Sequence, residues 1–156
     1  MEIADLVRED RVRLDADISS KKRALERLSE MLASDSGGST GLSANLVFDA
    51  LSARERLGST GLGHGVAIPH GRMAAIDMPR VAVLRLDRGV DFEAIDHEPV
   101  DILIALIVPE ESTSEHLELL AQLARALSQP DNIAAIRRTV DSPALHQTVV
   151  AAFRNA

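Results

Sequence analysis

Apolar residues recur at helical spacing in several stretches of this chain, and at alternating or continuous spacing in others. Ala24, Leu25, Leu28, Met31 and Leu32 fall at i, i+1, i+4, i+7 and i+8, which predicts a helix over 21–33 with Ser19-Ser20 supplying its N-cap. A second helix is predicted from about Ser43 to Leu57, buried through Leu46, Val47, Ala50 and Leu51. A third, capped at about Thr113 or Ser114, runs to Leu127; Gln129-Pro130 ends it, a short helix follows over 131–137, and Pro143 opens a last amphipathic one. Val12-Arg13-Leu14 alternates as an edge strand would. Val66-Ala67-Ile68 reads as a short strand stopped by Pro69, 80–86 as another, and 100–108, the most apolar stretch, as a central strand ended by Pro109.

The connections are equally marked. Residues 34–40 form a Gly/Ser-rich loop, 58–65 are too glycine-rich for a regular element, and 89–99 are rich in turn formers. Ser-Thr-Gly-Leu occurs at 39–42 and again at 59–62, too short a match to mark a repeat. Nothing divides the chain, so 1–156 are expected to form one domain. Strands interleaved with helices predict an α/β fold: a single mixed, partly parallel sheet flanked by helices on both faces.

Composition narrows the functions available. With 46% apolar residues in 156 there is enough material for a core, and with 2% aromatics it must be built of Leu, Ile, Val and Ala. The net charge of −7, without a long basic tract, argues against nucleic acid or an anionic membrane as partner. Having no cysteine, the chain can form no disulfide, no thiolate zinc site and no cysteine nucleophile. The longest apolar run, 102–109, suits a buried strand rather than a membrane span, and the acidic start Met1-Glu2-Ile3-Ala4-Asp5 lacks the basic and apolar regions of a signal peptide. A cytoplasmic location is expected.

Three side chains then draw attention. His70 follows the 66–68 strand between Pro69 and Gly71. A neutral imidazole there can act as a nucleophile, while Gly71 lets a backbone amide approach a bound group; a surface histidine in a tight turn is the plainer reading. Arg54 lies four, seven and eight residues after Ala50, Val47 and Leu46 on a predicted buried stripe, so its guanidinium needs an anion unless it snorkels to water. His116 precedes Leu120, Leu123 and Leu127 on the third helix's stripe, in a first turn that favours anions over an imidazolium; a satisfied core histidine is the usual alternative. In the loop, Ser59 and Thr60 offer hydroxyls among glycines, a weak anion-site signal with no P-loop lysine. A metal site from His64, His70 and His116 lacks any supporting ligand spacing, and no metal or cofactor is expected. His97 reads as solvated and His146 as edge packing.

The stretch Arg54-Glu55-Arg56-Leu57-Gly58-Ser59-Thr60-Gly61-Leu62-Gly63-His64-Gly65-Val66-Ala67-Ile68-Pro69-His70-Gly71-Arg72 closely resembles the active-site segment of the fructose/mannitol/nitrogen class of IIA phosphotransferase domains. Glu115-His116-Leu117-Glu118-Leu119-Leu120-Ala121-Gln122-Leu123-Ala124 is similar to that family's second histidine helix, and 15–28 resemble the start of nitrogen-branch members. The resemblance implies the IIA type-2 fold, a phosphohistidine at His70 with His116 beside it and Arg54 near the phosphoryl group, and Ser59, Thr60 and Gly71 as further phosphoryl-binding candidates. It also implies a phosphoryl donor, the relay's histidine phosphocarrier protein. His64 departs from the expected small polar or acidic residue and is placed, by sequence, near the site.

Three functions remain to be separated. One is a nitrogen-branch regulator whose phosphorylation state controls a target such as a potassium transporter subunit or a sensor kinase. Another is a IIA component passing phosphate to a IIB cysteine for fructose or mannitol uptake; with no cysteine, no such IIB domain lies within this sequence. The third is a binding module in which His70 recognises an anion without being phosphorylated. The form of the 58–61 segment resembles the nitrogen branch, which favours the regulator.

Overall fold

The computed structural model describes residues 1–34 and 42–155, so residues 35–40 of the predicted loop and 39–41 of the first Ser-Thr-Gly-Leu lie outside the described residues. Its strands are β1 (Val12–Asp15), β2 (Gly61–Gly63), β3 (Val66–Ala67), β4 (His70–Met73), β5 (Arg80–Val90) and β6 (Val100–Pro109). Its helices are α1 (Lys21–Ala33), α2 (Ala44–Glu55), α3 (Thr113–Leu127), α4 (Pro130–Arg137) and α5 (Ser142–Arg154), and two 3-10 turns precede β1. All the strands share one sheet in the order β1-β5-β6-β3-β2, with β4 also beside β6. β5 runs antiparallel to β6, whereas β3 and β4 run parallel to it, which gives the expected mixed sheet.

Alternation along β6 explains why helices cover both faces. Ile102, Ile104, Leu106 and Val108 point into one core with Leu119 and Leu123 of α3, Ile136 of α4 and Val149 of α5. Leu103, Ala105 and Ile107 point into the other with Leu28 and Leu32 of α1 and Val47 and Leu51 of α2. Each fully buried Leu, Ile or Val contributes about 1.5–3 kcal/mol by leaving water. A strand buried on both faces therefore reads as an unbroken apolar run, as 102–108 does.

Local chemistry sets the helix ends. Ser20 accepts from the Arg23 amide at 3.1 Å, Ser43 from Asn45 at 3.2 Å and Asp141 from Ala144 at 2.8 Å. α3 starts where expected, but Ser112 makes no side-chain cap. Two expectations are corrected. Pro69 follows the end of β3 but does not end the pairing with β6: it withholds one donor, yet its carbonyl still accepts from the Leu106 amide at 2.9 Å. Chain pairing continues in one register, Ala67 opposite Leu103 and His70 opposite Leu106. The buried stripe of α2 is Val47, Leu51 and Glu55 rather than one through Leu46, which is 53% exposed.

Leu51→Ala is expected to destabilise the chain by about 2–5 kcal/mol in urea unfolding, because it empties a closed site between α2 and the sheet. Leu46→Ala, on the same helix but exposed, should shift stability by no more than about 0.5 kcal/mol. Equal losses would show that α2 buries the other face.

Candidate functional site

β4 lies at an edge of the sheet, and a cleft of about 650 Å³ straddles that edge between α2 and α3. His70 opens β4 on the cleft floor, half-buried. Its Nδ1 lies 2.8 Å from the Ile68 carbonyl, an acceptor with no hydrogen of its own, so Nδ1 carries the proton and donates. Nε2 is left as the nitrogen with a free lone pair. Burial is the main effect pushing the His70 pKa below its ordinary value, and the charge of Arg54 acts the same way against the Ile68 bond and Glu55. The neutral, nucleophilic form is thereby favoured.

His116 faces His70 edge-on, with ring centroids 5.4 Å apart and planes at 73°. It sits in the first turn of α3, where its own amide bonds the Ser112 carbonyl at 2.9 Å. Burial pushes its pKa down to about 4, with His70 and Arg72 adding in the same direction. His116 is therefore a neutral imidazole at physiological pH, and its Nε2 is enclosed without a hydrogen-bond partner among the described residues.

Two guanidinium groups border the cleft. Arg54, at the end of α2, donates from Nη1 to the Gly58 carbonyl at 2.8 Å. Arg72 leaves β4 on the same face as His70 and donates from Nη1 to Thr113 Oγ1 at 3.2 Å. Among the described residues, neither has a carboxylate in ion-pair range. Leu57 and Leu117, 84% and 64% exposed, also line the cleft. Two guanidiniums against one lining carboxylate, Glu110, leave net positive charge beside an imidazole with a free lone pair, which suits a phosphoryl or other oxyanion group.

The sequence matches the family described as "Phosphoenolpyruvate-dependent sugar phosphotransferase system, EIIA 2" over residues 5–151. The chain belongs to this family. It is 47% identical over 131 residues to the nitrogen regulatory protein of Pseudomonas aeruginosa, covering 84% of this chain and 83% of that one. The crystal structure of nitrogen regulatory protein IIA-Ntr from Neisseria meningitidis superposes with a TM-score of 0.86 at 38% identity, covering 97% of this chain and 98% of the other. A fructose-specific EIIA component of Haloferax volcanii is 38% identical over 113 residues, 72% of this chain and 71% of that one. The fold is accordingly the IIA type-2 fold, and the EIIA chain is a component of a phosphoryl relay.

Of the residues singled out by sequence, His70, His116, Arg54 and Gly71 all line the cleft. Gly71 serves packing as well: a Cβ there would lie 3.2 Å from the Ala50 carbonyl oxygen, so its absence lets α2 approach β4. Ser59 and Thr60 are not part of the cleft lining, which corrects the expectation that their hydroxyls meet an anion. Ser59 Oγ donates to the Phe92 carbonyl at 2.7 Å and accepts from the Gly61 amide at 3.0 Å. Thr60 Oγ1 donates to Glu55, whose other oxygen accepts from the Thr60 amide at 3.2 Å and pairs with Lys21 Nζ at 3.0 Å.

His64 is corrected too. It stands in the β2–β3 turn at the far end of the strand, where its amide bonds Asp96 and its carbonyl accepts from Arg137. Val66 to His70 alone is about 13 Å of extended chain, so His64 is not a neighbour of the site. Among the described residues no His, Asp or Glu cluster is arranged to hold a metal ion. Sequence reasoning missed Glu55 and Arg72. Glu55 is a buried carboxylate at the i+8 position of the α2 stripe, and Arg72 follows His70 at the two-residue period of a strand not expected to continue past Pro69.

His116 is expected to stay neutral in an NMR titration until the pH falls to about 4. The sign for stability follows. Between pH 6.5 and about 4 the unfolded chain binds a proton that folded His116 refuses, so stability is lost as pH falls through that window. His116→Gln should flatten this part of the stability curve, and an unchanged curve would remove His116 as its source.

Proposed function

We propose that His70 Nε2 is the phosphoryl acceptor of this EIIA protein, that the donor is the relay's histidine phosphocarrier, and that the whole chain acts as one regulatory IIA domain. The observation that carries this is the Nδ1 bond to the Ile68 carbonyl, which protonates one nitrogen and frees the other at the cleft floor. The Nε2 lone pair attacks phosphorus as the bond from phosphorus to the donor's ring nitrogen breaks, and the electron pair returns to that nitrogen. His70 keeps its Nδ1 proton throughout. The positive charge that the ring acquires rests against the Ile68 carbonyl. Because the transition state is largely metaphosphate-like, the protein's task is alignment and charge stabilisation, assigned here to Arg54 with His116 packed beside the ring.

Likeness to nitrogen regulatory proteins favours a regulatory role, directed at a target such as a potassium transporter subunit or sensor kinase in the cytoplasm. No described helix is long and apolar enough to cross a membrane. Sugar uptake is the second reading, favoured by the likeness to a fructose-specific EIIA component.

Incubation with phosphoenolpyruvate, the relay's first enzyme and its phosphocarrier should add one acid-labile phosphoryl group to the wild type and none to His70→Ala, read by intact mass. Arg54→Ala should slow transfer roughly 10²–10³-fold while the fold is kept. Lack of an adduct with an active cognate relay would leave an anion-binding module as the better reading. Onward transfer to a IIB cysteine would favour sugar uptake over regulation.

A further inference from the structure

A phosphoryl group on His70 brings close to two negative charges into the cleft, and Arg54 accounts for one cation on the α2 side. On the α3 side the sequence offers His116, but burial keeps that ring neutral. The positive charge present there is Arg72. It leaves β4 two residues after His70, hence on the same face, and is near enough to His116 to disfavour its protonation. Its partner is a neutral hydroxyl, Thr113 Oγ1, rather than a carboxylate. A guanidinium gains by exchanging such an acceptor for a phosphoryl oxygen, because an oxyanion adds a charge–charge attraction that a neutral hydroxyl does not supply. Arg54 is arranged in the same way, held by the Gly58 carbonyl on the opposite wall.

We propose that Arg72 is a phosphoryl-binding residue, released from Thr113 to grip the group on His70 from the α3 wall while Arg54 grips it from the α2 wall. This rests on His70 being the acceptor. The positions of the two guanidiniums also define what the site takes: a group with several charged oxygens, addressed from two sides at once. A carboxylate, with one charge and two oxygens in a plane, would leave one arginine where it is.

The test is the transfer equilibrium. The wild type, Arg72→Gln, Arg72→Lys and Thr113→Val are each mixed with a fixed amount of phosphorylated histidine phosphocarrier, and the phosphorylated fraction is read by intact mass, with thermal unfolding run beside each. Loss of one charge-assisted bond should lower the equilibrium constant about tenfold in Arg72→Gln. Arg72→Lys should recover part of the loss. Thr113→Val removes the competing acceptor and should raise the constant about threefold. If Arg72 merely braces α3 through Thr113, Thr113→Val will fall as far as Arg72→Gln, and that result overturns the proposal. So does an Arg72→Gln variant that matches the wild type. A wild type that takes no phosphoryl group on His70 refutes the underlying reading, and the proposal falls with it; the wild-type sample alone separates that failure from the other two.

Discussion

A strand residue directs its amide and its carbonyl to the same side, so along β3 and β4 alternate residues face β6 and the remainder face outward. Pro69 faces β6, as its bond from Leu106 shows, and Ile68 faces out. The Ile68 amide is met by the Thr60 carbonyl at 3.1 Å, but β2 covers this edge only as far as Ala67. A buried carbonyl left without a donor is costly, and the His70 side chain supplies that donor. One hydrogen bond thus closes the sheet edge and fixes the imidazole tautomer. The free lone pair on Nε2 follows from where an edge strand stops.

The rest of the cleft follows from charge. Two neutral imidazoles pack edge to face, which two imidazolium ions could not do without repulsion. The flanking cations come from arginines, which hold their charge at any accessible pH. Glu55, the adjacent residue to Arg54 on α2, turns the other way and meets Lys21 and Thr60. That clamp ties the end of α2 to the start of α1 and to the glycine-rich loop. A buried ion pair contributes little net stability once desolvation is counted, and its better-attested use is to fix position. Here it fixes the helix end from which Arg54 reaches the cleft.

Much of this was legible in the sequence, for identifiable reasons. The helices carry caps and 3.6-residue periodicity, and α1 spans the predicted 21–33. β6 was legible because burial on both faces leaves only apolar residues from Ile102 to Val108. β4 was not, since a proline inside a parallel strand looks like a terminus until its neighbour's register is known. Leu46 was misplaced because it shares a helical stripe with Ala50 and Arg54, and that stripe borders the cleft rather than the core. Ser59 and Thr60 have the right chemistry for an anion, but their hydroxyls are committed to the Phe92 carbonyl and the Glu55 carboxylate, and neither pairing is announced by the spacing of the loop. His64 was close in sequence and far in space for a simple reason: extended chain separates residues faster than any other conformation.

A carrier must also release what it accepts, and this bears on how tightly the cleft can hold its charge. Were Arg54 and Arg72 unbonded before transfer, each contact with a phosphoryl oxygen would add its full strength to the phosphorylated state. Both instead begin on neutral acceptors, the Gly58 carbonyl and the Thr113 hydroxyl, so each new bond replaces an existing one. In the proposed exchange the net preference is the difference between an arginine bond to an oxyanion and one to a neutral oxygen, on the order of 1 kcal/mol per arginine rather than the whole bond. Such a difference aligns the group without trapping it. Leu57 and Leu117 leave apolar surface exposed at the same cleft. If Arg54 and Arg72 act as proposed, their two neutral acceptors favour a reversible relay while the arginines aim the group.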